Sequence, residues 1–255
     1  MQASKRAGGS AEGSVDPTEV AKFEAMAAEW WDPSGRAGPL HRLNPCRLDY
    51  IANQIAGEFD RDRTARRPLS GLRVLDIGCG GGLVSEPLAR LGADVVGADA
   101  GAENIGAARA HAEAAGLTID YRATTAEALA AAGEDFDAVL ALEIVEHVAD
   151  PGAFLQTCGA MVRPGGVMIV TTLNRTAKAW TLAVFGVERV LRWLPPGTHD
   201  WTKFLTPEDL AAKLEAAGLD VVDRKGMVLD PLSGSFRLSA DNLDVNYAMT
   251  AVKRG

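Results

Sequence analysis

A short apolar run, Val74-Leu75-Asp76-Ile77, leads into Gly78-Cys79-Gly80-Gly81-Gly82. Glycine suits positions where the backbone turns sharply or lets a ligand approach closely. A strand that enters such a turn and continues as a helix forms a nucleotide-class cradle. The dinucleotide pattern GxGxxG needs a third glycine where Leu83 stands, so this turn has only the GxGxG form. Asp76, two residues before Gly78, places a carboxylate where a pyrophosphate would be repelled. A cationic sulfonium carrying an ammonium group tolerates it. Asp76 is then expected to orient the loop or the ligand's amino group, through backbone or water. Asp99 closes Val95-Val96-Gly97-Ala98-Asp99, at the separation from the turn where an acid bonds ribose hydroxyls. Without a ligand, the same residues read as a tight turn and a helix cap.

A second group is Glu143-Ile144-Val145-Glu146-His147, expected just beyond the fourth strand, where open sheets place their ligands. If this turn is helical, Glu143, Glu146 and His147 share one face. Their oxygen and imidazole atoms would suit a hard or borderline divalent ion, Mg²⁺ first. Alternatively His147 or Glu143 acts alone as a general base. A third reading has all three capping the helix and lining the ligand site.

These residues need a scaffold, and the pattern supplies one. From Leu72, short apolar runs alternate with helical stretches: strands at Arg73–Ile77, Asp94–Ala98, Ile119–Arg122, Phe136–Leu142 and Val167–Thr172, with helices between them. Such βαβα alternation predicts a parallel sheet covered on both faces. Thr206-Pro207-Glu208-Asp209 opens a further helix. Leu219–Arg224 and Asn246–Lys253 are the last strand candidates, joined by a stretch too short for a crossover helix, so they are expected to pair antiparallel. Upstream, Asp16 caps a helix with Val20, Phe23, Ala27 and Trp30 on one face; Phe23, Trp30 and Trp31 are expected either to close over the site and exclude water or to pack in the core. A proline-containing stretch follows, then a second helix from Cys46 to Phe59. The expected organisation is a disordered tail at 1–16, an N-terminal helical cap at 17–60, and a catalytic domain at 72–255 with an insertion at about 174–205.

A formal charge of −8 argues against a general nucleic-acid binder, which needs a basic face. Cys46, Cys79 and Cys158 are far apart and show no paired spacing, so neither a disulfide framework nor a cysteine zinc site is implied. The Gly/Ser/Ala-rich start does not read as a signal peptide. No apolar run reaches the length of a spanning helix, which makes a cytoplasmic protein the simplest expectation.

The runs VLDIGCGGG, VVGAD, FDAVLALEIVEHV and MVRPGG resemble the class I S-adenosylmethionine-dependent methyltransferases in order. Outside that core, PTEVAKFEAMAAEWWDPSG, LHRLNPCRLDYI, LNRTAKAW, GTHDWTKF and LDVNYAM resemble the ubiquinone-biosynthesis O-methyltransferase family, over about residues 18–253. The resemblance implies an α/β, Rossmann-like fold with a seven-stranded, mostly parallel sheet and one antiparallel strand. It implies S-adenosylmethionine as methyl donor, and 2-polyprenyl-6-hydroxyphenol and 3-demethylubiquinol as acceptors. It carries the donor-binding role onto Arg47, Gly78, Asp99 and Leu142, to which the glycine turn adds Asp76 and Gly80. Arg47 would grip the donor's carboxylate with its fixed fork. Leu142 stands where a family methionine can occur and would contribute backbone or packing. On a catechol, a metal would hold both oxygens and lower the hydroxyl pKa. An assembly with other ubiquinone-pathway proteins is a further implication.

Residues 175–196 are apolar and basic. Trp180, Val184, Val187, Leu191 and Leu194 share a helical face, while Arg175, Lys178, Arg189 and Arg192 point away, with Glu188 the only acid. A basic amphipathic helix reads as a membrane-surface element, peripheral to the inner face, and suits a prenylated acceptor. A buried lid over the substrate pocket is the alternative. Rival functions are another small-molecule methyltransferase acting on a phenol or on carbon, a nicotinamide-dependent dehydrogenase, and a non-catalytic membrane-associated partner. Leu83 weighs against the dehydrogenase.

Overall fold

The computed structural model describes residues 13–181, 203–230 and 232–255. Its centre is an eight-stranded sheet of order β3-β2-β1-β4-β5-β8-β6-β7. The parallel part comprises β1 (Arg73–Ile77), β2 (Asp94–Asp99), β3 (Asp120–Ala123), β4 (Phe136–Leu142) and β5 (Val162–Leu173). Next come β8 (Asn246–Val252), antiparallel to β5, then β6 (Asp220–Leu229), antiparallel to β8, as expected of the last two strands. The eighth strand, β7 (Phe236–Ser239), lies in the stretch read as a simple connection. It has only four residues, too few to display a period, and its pairing with Gly226–Leu229 extends β6 beyond its expected end.

Each strand of the parallel part sends alternate side chains to two apolar layers. Leu75, Ile77, Val139, Ala141, Met168 and Val170 face one layer. It is completed by α5 (Ala126–Ala131), α6 (Pro151–Ala160) and α8 (Pro207–Ala216). Val74, Ala138, Leu140, Val167 and Ile169 face the other, built against α2 (Gly38–Glu58) and α3 (Ser85–Arg90). The exception in β1 is Asp76, a buried carboxylate among apolar residues.

The N-terminal segment departs from its expected outline twice. The first helix breaks into α1 (Pro17–Glu24) and a short 3-10 turn at Ala27–Glu29. That break swings Trp30 toward the glycine turn. The second helix begins at Gly38, not Cys46, and runs through Pro45. Pro39 lies in its first turn, where a missing N–H costs nothing, and Pro45 removes one internal bond. Burial of Leu43, Arg47, Tyr50, Ile51 and Ile55 holds the helix across that gap. Tyr50 also shares a 2.7 Å hydrogen bond with Thr250 of β8. Of the stretch read as a tail, residues 1–12 lie outside the described residues; Ser14 is buried, donating to Glu127 Oε1 at 2.9 Å and accepting from the Ala149 amide at 2.8 Å.

Among the described residues, no helix is long and apolar enough to cross a membrane. Most of the basic amphipathic stretch, its residues 182–196, lies outside them. Its described start forms α7 (Ala177–Ala179), with Arg175 paired to Asp209 at 2.6 Å, Lys178 to Asp244 at 2.9 Å, and Trp180 exposed.

Candidate active site

Strand order reverses between β1 and β4, and Ile77 pairs with Ala141. The segments leaving these two strands therefore lie side by side at the carboxyl edge, the usual place for a ligand in an open α/β sheet. One cavity of about 560 Å³ opens there. Every residue singled out from the sequence lines it: Arg47, Asp76, Gly78, Gly80, Asp99, Leu142, Glu143, Glu146 and His147.

The glycine turn has little freedom for other residues. Gly78, Gly80 and Gly82 sit at φ 75°, 53° and 84°, in the left-handed region that L side chains rarely adopt. A Cβ on Gly80 would lie 2.6 Å from Trp30 Cζ2. The turn is fastened to β2: the amides of Gly78 and Cys79 donate to the Ala98 carbonyl at 2.7 and 3.1 Å. Asp99 completes the clamp. Its Oδ2 accepts from the Gly80 amide at 2.9 Å, and its Oδ1 accepts from the Gly101 amide at 2.8 Å and Asn104 Nδ2 at 3.1 Å. The carboxylate clamps the turn and holds the amide of Gly101, the residue that caps the next helix without a side-chain bond, and burial pushes its pKa up. Beneath it, Asp76 accepts from Ser85 Oγ at 2.6 Å, and burial raises its pKa to about 6. Leu83, in place of the third fingerprint glycine, packs with Met26 and Trp30 of the N-terminal segment.

Arg47 and Glu143 bring opposite charges to the cavity. Arg47 is 4% exposed and donates to Asn44 Oδ1, while its Nε has no hydrogen-bond partner among the described residues. Burial lowers its pKa, opposed by the charges of Glu143 and Asp76. Glu143 follows β4 at φ 51°, a strained position for a side chain, and its buried Oε1 is likewise without a partner among the described residues. Such atoms carry a desolvation cost unless a ligand satisfies them.

The condition for Glu143, Glu146 and His147 to share one helical face is not met. The segment is an irregular turn, in which Glu146 and His147 take different partners. Glu146 is buried and accepts from Thr172 Oγ1 at 2.8 Å; burial, then the neighbouring Glu143, raises its pKa. His147 Nδ1 lies 2.8 Å from Glu19 Oε2 of α1. Among the described residues, no three His, Cys, Asp or Glu side chains are arranged to hold a metal ion, so Glu143, Glu146 and His147 do not make a metal site as placed.

Trp30 and Trp31, named from the sequence as closing over the site, lie against the glycine turn. Trp30 donates from Nε1 to Asn104 Oδ1 at 2.9 Å while lying over Gly80 and Gly81. Trp31 stacks on His111 at 3.5 Å and donates to the Gly81 carbonyl. Met227, Val228, Leu229 and Phe236, from β6 and β7, escaped sequence reasoning and give the cavity an apolar wall. Each is brought in by contacts distant in sequence, for which no local spacing is a signal.

A family model described as a methyltransferase domain matches residues 48–224. A ubiquinone biosynthesis O-methyltransferase of Cereibacter sphaeroides is 63% identical over 240 residues, 94% of this chain and 97% of that protein. Its counterpart in Roseobacter denitrificans is 62% identical over 239 residues, 94% and 96% of the two chains. Among solved structures, a magnesium protoporphyrin IX methyltransferase of Synechocystis with bound SAH aligns with a TM-score of 0.66 at 19% identity, covering 94% of this chain and all of that one. That likeness shows the fold.

Proposed function

The chain belongs to the ubiquinone biosynthesis O-methyltransferase family, and from that membership we propose that it moves the methyl group of S-adenosylmethionine onto catechol-type hydroxyls of 2-polyprenyl-6-hydroxyphenol and 3-demethylubiquinol. The observation that carries this reading is the presence in one cavity of Arg47 Nε and Glu143 Oε1, two buried atoms of oppositely charged groups, neither with a hydrogen-bond partner among the described residues. They suit the α-carboxylate and α-ammonium of the donor's amino-acid end. Asp99 has acceptor capacity left for a ribose hydroxyl on Oδ2, which has two lone pairs and accepts only the Gly80 amide, whereas Oδ1 already accepts two bonds. The bound donor supplies a methyl carbon on a positively charged sulfur that leaves with the bonding electron pair.

The chain's own residues do the rest. The apolar wall from β6 and β7 receives the prenyl chain. Trp30 and Phe23 keep water from the reacting atoms, which must stand about 3–3.5 Å apart in line. His147 takes the phenolic proton as the methyl arrives. Glu143, committed to the donor, is not needed as the base. The exposed Trp180 and the basic residues around it support peripheral contact with a membrane holding the acceptor, on its cytoplasmic face. A prenylated intermediate also favours hand-over within an assembly of pathway enzymes.

The test is transfer of labelled methyl from S-adenosylmethionine to a short-chain prenylated catechol, repeated after chelation and after Mg²⁺ is restored. Transfer that survives chelation is expected. Transfer that needs Mg²⁺ would require the Glu143–His147 turn to rearrange around a metal. Donor binding without transfer to either acceptor would overturn the substrate assignment.

A further inference from the structure

Asn104 is a polar side chain buried in the first turn of α4 (Ala102–Ala114), at 1% exposure. A buried amide is costly unless it is hydrogen-bonded, and asparagine contributes little to a helix. Both ends of this amide are bonded. Its Oδ1 accepts from Trp30 Nε1 at 2.9 Å, across 74 positions of chain. Its Nδ2 donates to Asp99 Oδ1 at 3.1 Å. A chain of hydrogen bonds thus runs from the N-terminal segment to the carboxylate at the end of β2. Trp30 is itself buried, at 6% exposure, with its ring over Gly80 and Gly81.

The direction of this chain is forced. The indole N–H can only donate, so the amide turns its oxygen toward Trp30, and its NH₂ then faces Asp99. Turned over, the amide would set oxygen against a carboxylate oxygen and NH₂ against the indole N–H. Together with the Gly101 amide at 2.8 Å, the Asn104 bond fills Oδ1. Oδ2 accepts the Gly80 amide at 2.9 Å and keeps one lone pair. The glycine at 101 leaves room for this arrangement: a Cβ there would lie 2.8 Å from Asn104 Nδ2 and 3.1 Å from Asp99 Oδ1.

We propose that Asn104, oriented by Trp30, is a positioning residue for the donor's ribose: it holds Oδ1 of Asp99 so that Oδ2 is presented to a ribose hydroxyl. The proposal rests on Asp99 being the ribose ligand. An unheld aspartate turns broadly about its last torsion. One fixed by an amide on one oxygen and by backbone on both is preorganised, so less affinity is lost to ordering it. The indole belongs to the segment that covers the glycine turn, so the ribose site is complete only with that segment in place. Donor binding and the seating of Trp30 are then coupled, each favouring the other by the same factor.

The experiment measures, by calorimetry on the full chain, the affinities of S-adenosylhomocysteine and of its 2′,3′-dideoxy analogue, which lacks both ribose hydroxyls. The native chain, Trp30→Phe, Asn104→Ala and the double variant are compared, with urea midpoints to establish that each is folded at the assay temperature. Trp30→Phe keeps an aromatic ring and removes the N–H; if Asn104→Ala does not fold, Trp30→Phe decides alone. The native chain should prefer the hydroxyl-bearing ligand by about 10- to 100-fold. Each single variant should cut that preference about three- to tenfold, weakening S-adenosylhomocysteine while the analogue stays within about twofold of its native affinity. The double variant should show no smaller preference than Asn104→Ala, because the indole acts through the amide. Equal weakening of both ligands would mean that the pair only supports the fold, and would overturn the proposal. Additive losses in the double variant would also overturn it, since the two residues would then act separately. A native chain with no preference would remove the assignment of the ribose to Asp99, and the proposal with it.

Discussion

At the residue scale, Arg47 shows most clearly how burial prepares a side chain for a ligand. A guanidinium kept from water, with one N–H unsatisfied, gains more from an incoming carboxylate than an exposed one would. Arg47→Lys retains the charge but loses the fork, and should weaken donor binding roughly 10- to 100-fold; calorimetric titration with S-adenosylmethionine checks this. Gly80→Ala meets two obstacles, a φ of 53° and a Cβ 2.6 Å from Trp30. The indole is wedged against Leu83 and Asn104, so it has little room to yield. We expect donor binding to be lost while the far-ultraviolet circular dichroism stays native. The glycine turn was legible from the sequence because its glycines lie within a few positions of one another, whereas the partners of Asp76 and Asp99, Ser85 and Gly80, were not. Glu19 was not, since a glutamate in the first turn of a helix is ordinarily explained by the helix dipole alone.

At the scale of elements, the N-terminal segment is where local reading failed most. Its apolar spacing predicted one continuous helix, and Pro45 predicted a later start for the next. Tertiary packing overrode both. Trp30 prefers the glycine turn to a place on a longer helix, because there it buries its ring and satisfies its N–H together. Trp30→Ala should therefore cost about 3–5 kcal/mol, measured by urea denaturation, and should expose the cavity. β7 illustrates the opposite difficulty: four residues carry too little pattern to be read, and only pairing with β6 makes them a strand.

For the whole molecule, the buried carboxylates set how stability varies with pH. Asp76 has its pKa raised by burial to about 6, so the folded state holds its proton more tightly than the unfolded chain. The stability it lends is present at low pH and is lost as pH rises from about 4 to 6. Glu19 has the opposite sign. The hydrogen bond from His147 lowers its pKa to about 2, so its contribution is present above the unfolded value and is lost as pH falls toward 2. Comparing urea midpoints of the native chain and Asp76→Asn between pH 4 and 7 should show the native chain losing ground by up to about 3 kcal/mol as pH rises. Donor binding links to the same equilibrium. At a hundredfold excess over Kd it should add about 2.7 kcal/mol and raise Tm by roughly 5–10 °C; a thermal shift assay checks this, and Arg47→Lys should shrink the shift.

The sequence by itself determined the parallel core of the sheet, the glycine turn with its two aspartates, and the family. These rest on periodicity and on residues a few positions apart, which the chain carries locally. Only the tertiary structure decided how the Glu143–His147 turn is arranged. Whether Glu143, Glu146 and His147 converge or separate depends on whether their turn becomes helical, and competing partners settle that: Thr172 for Glu146 and Glu19 for His147. Both partners lie on elements brought near by packing, and the energy of burying a charge with or without a partner exceeds any local preference of the turn.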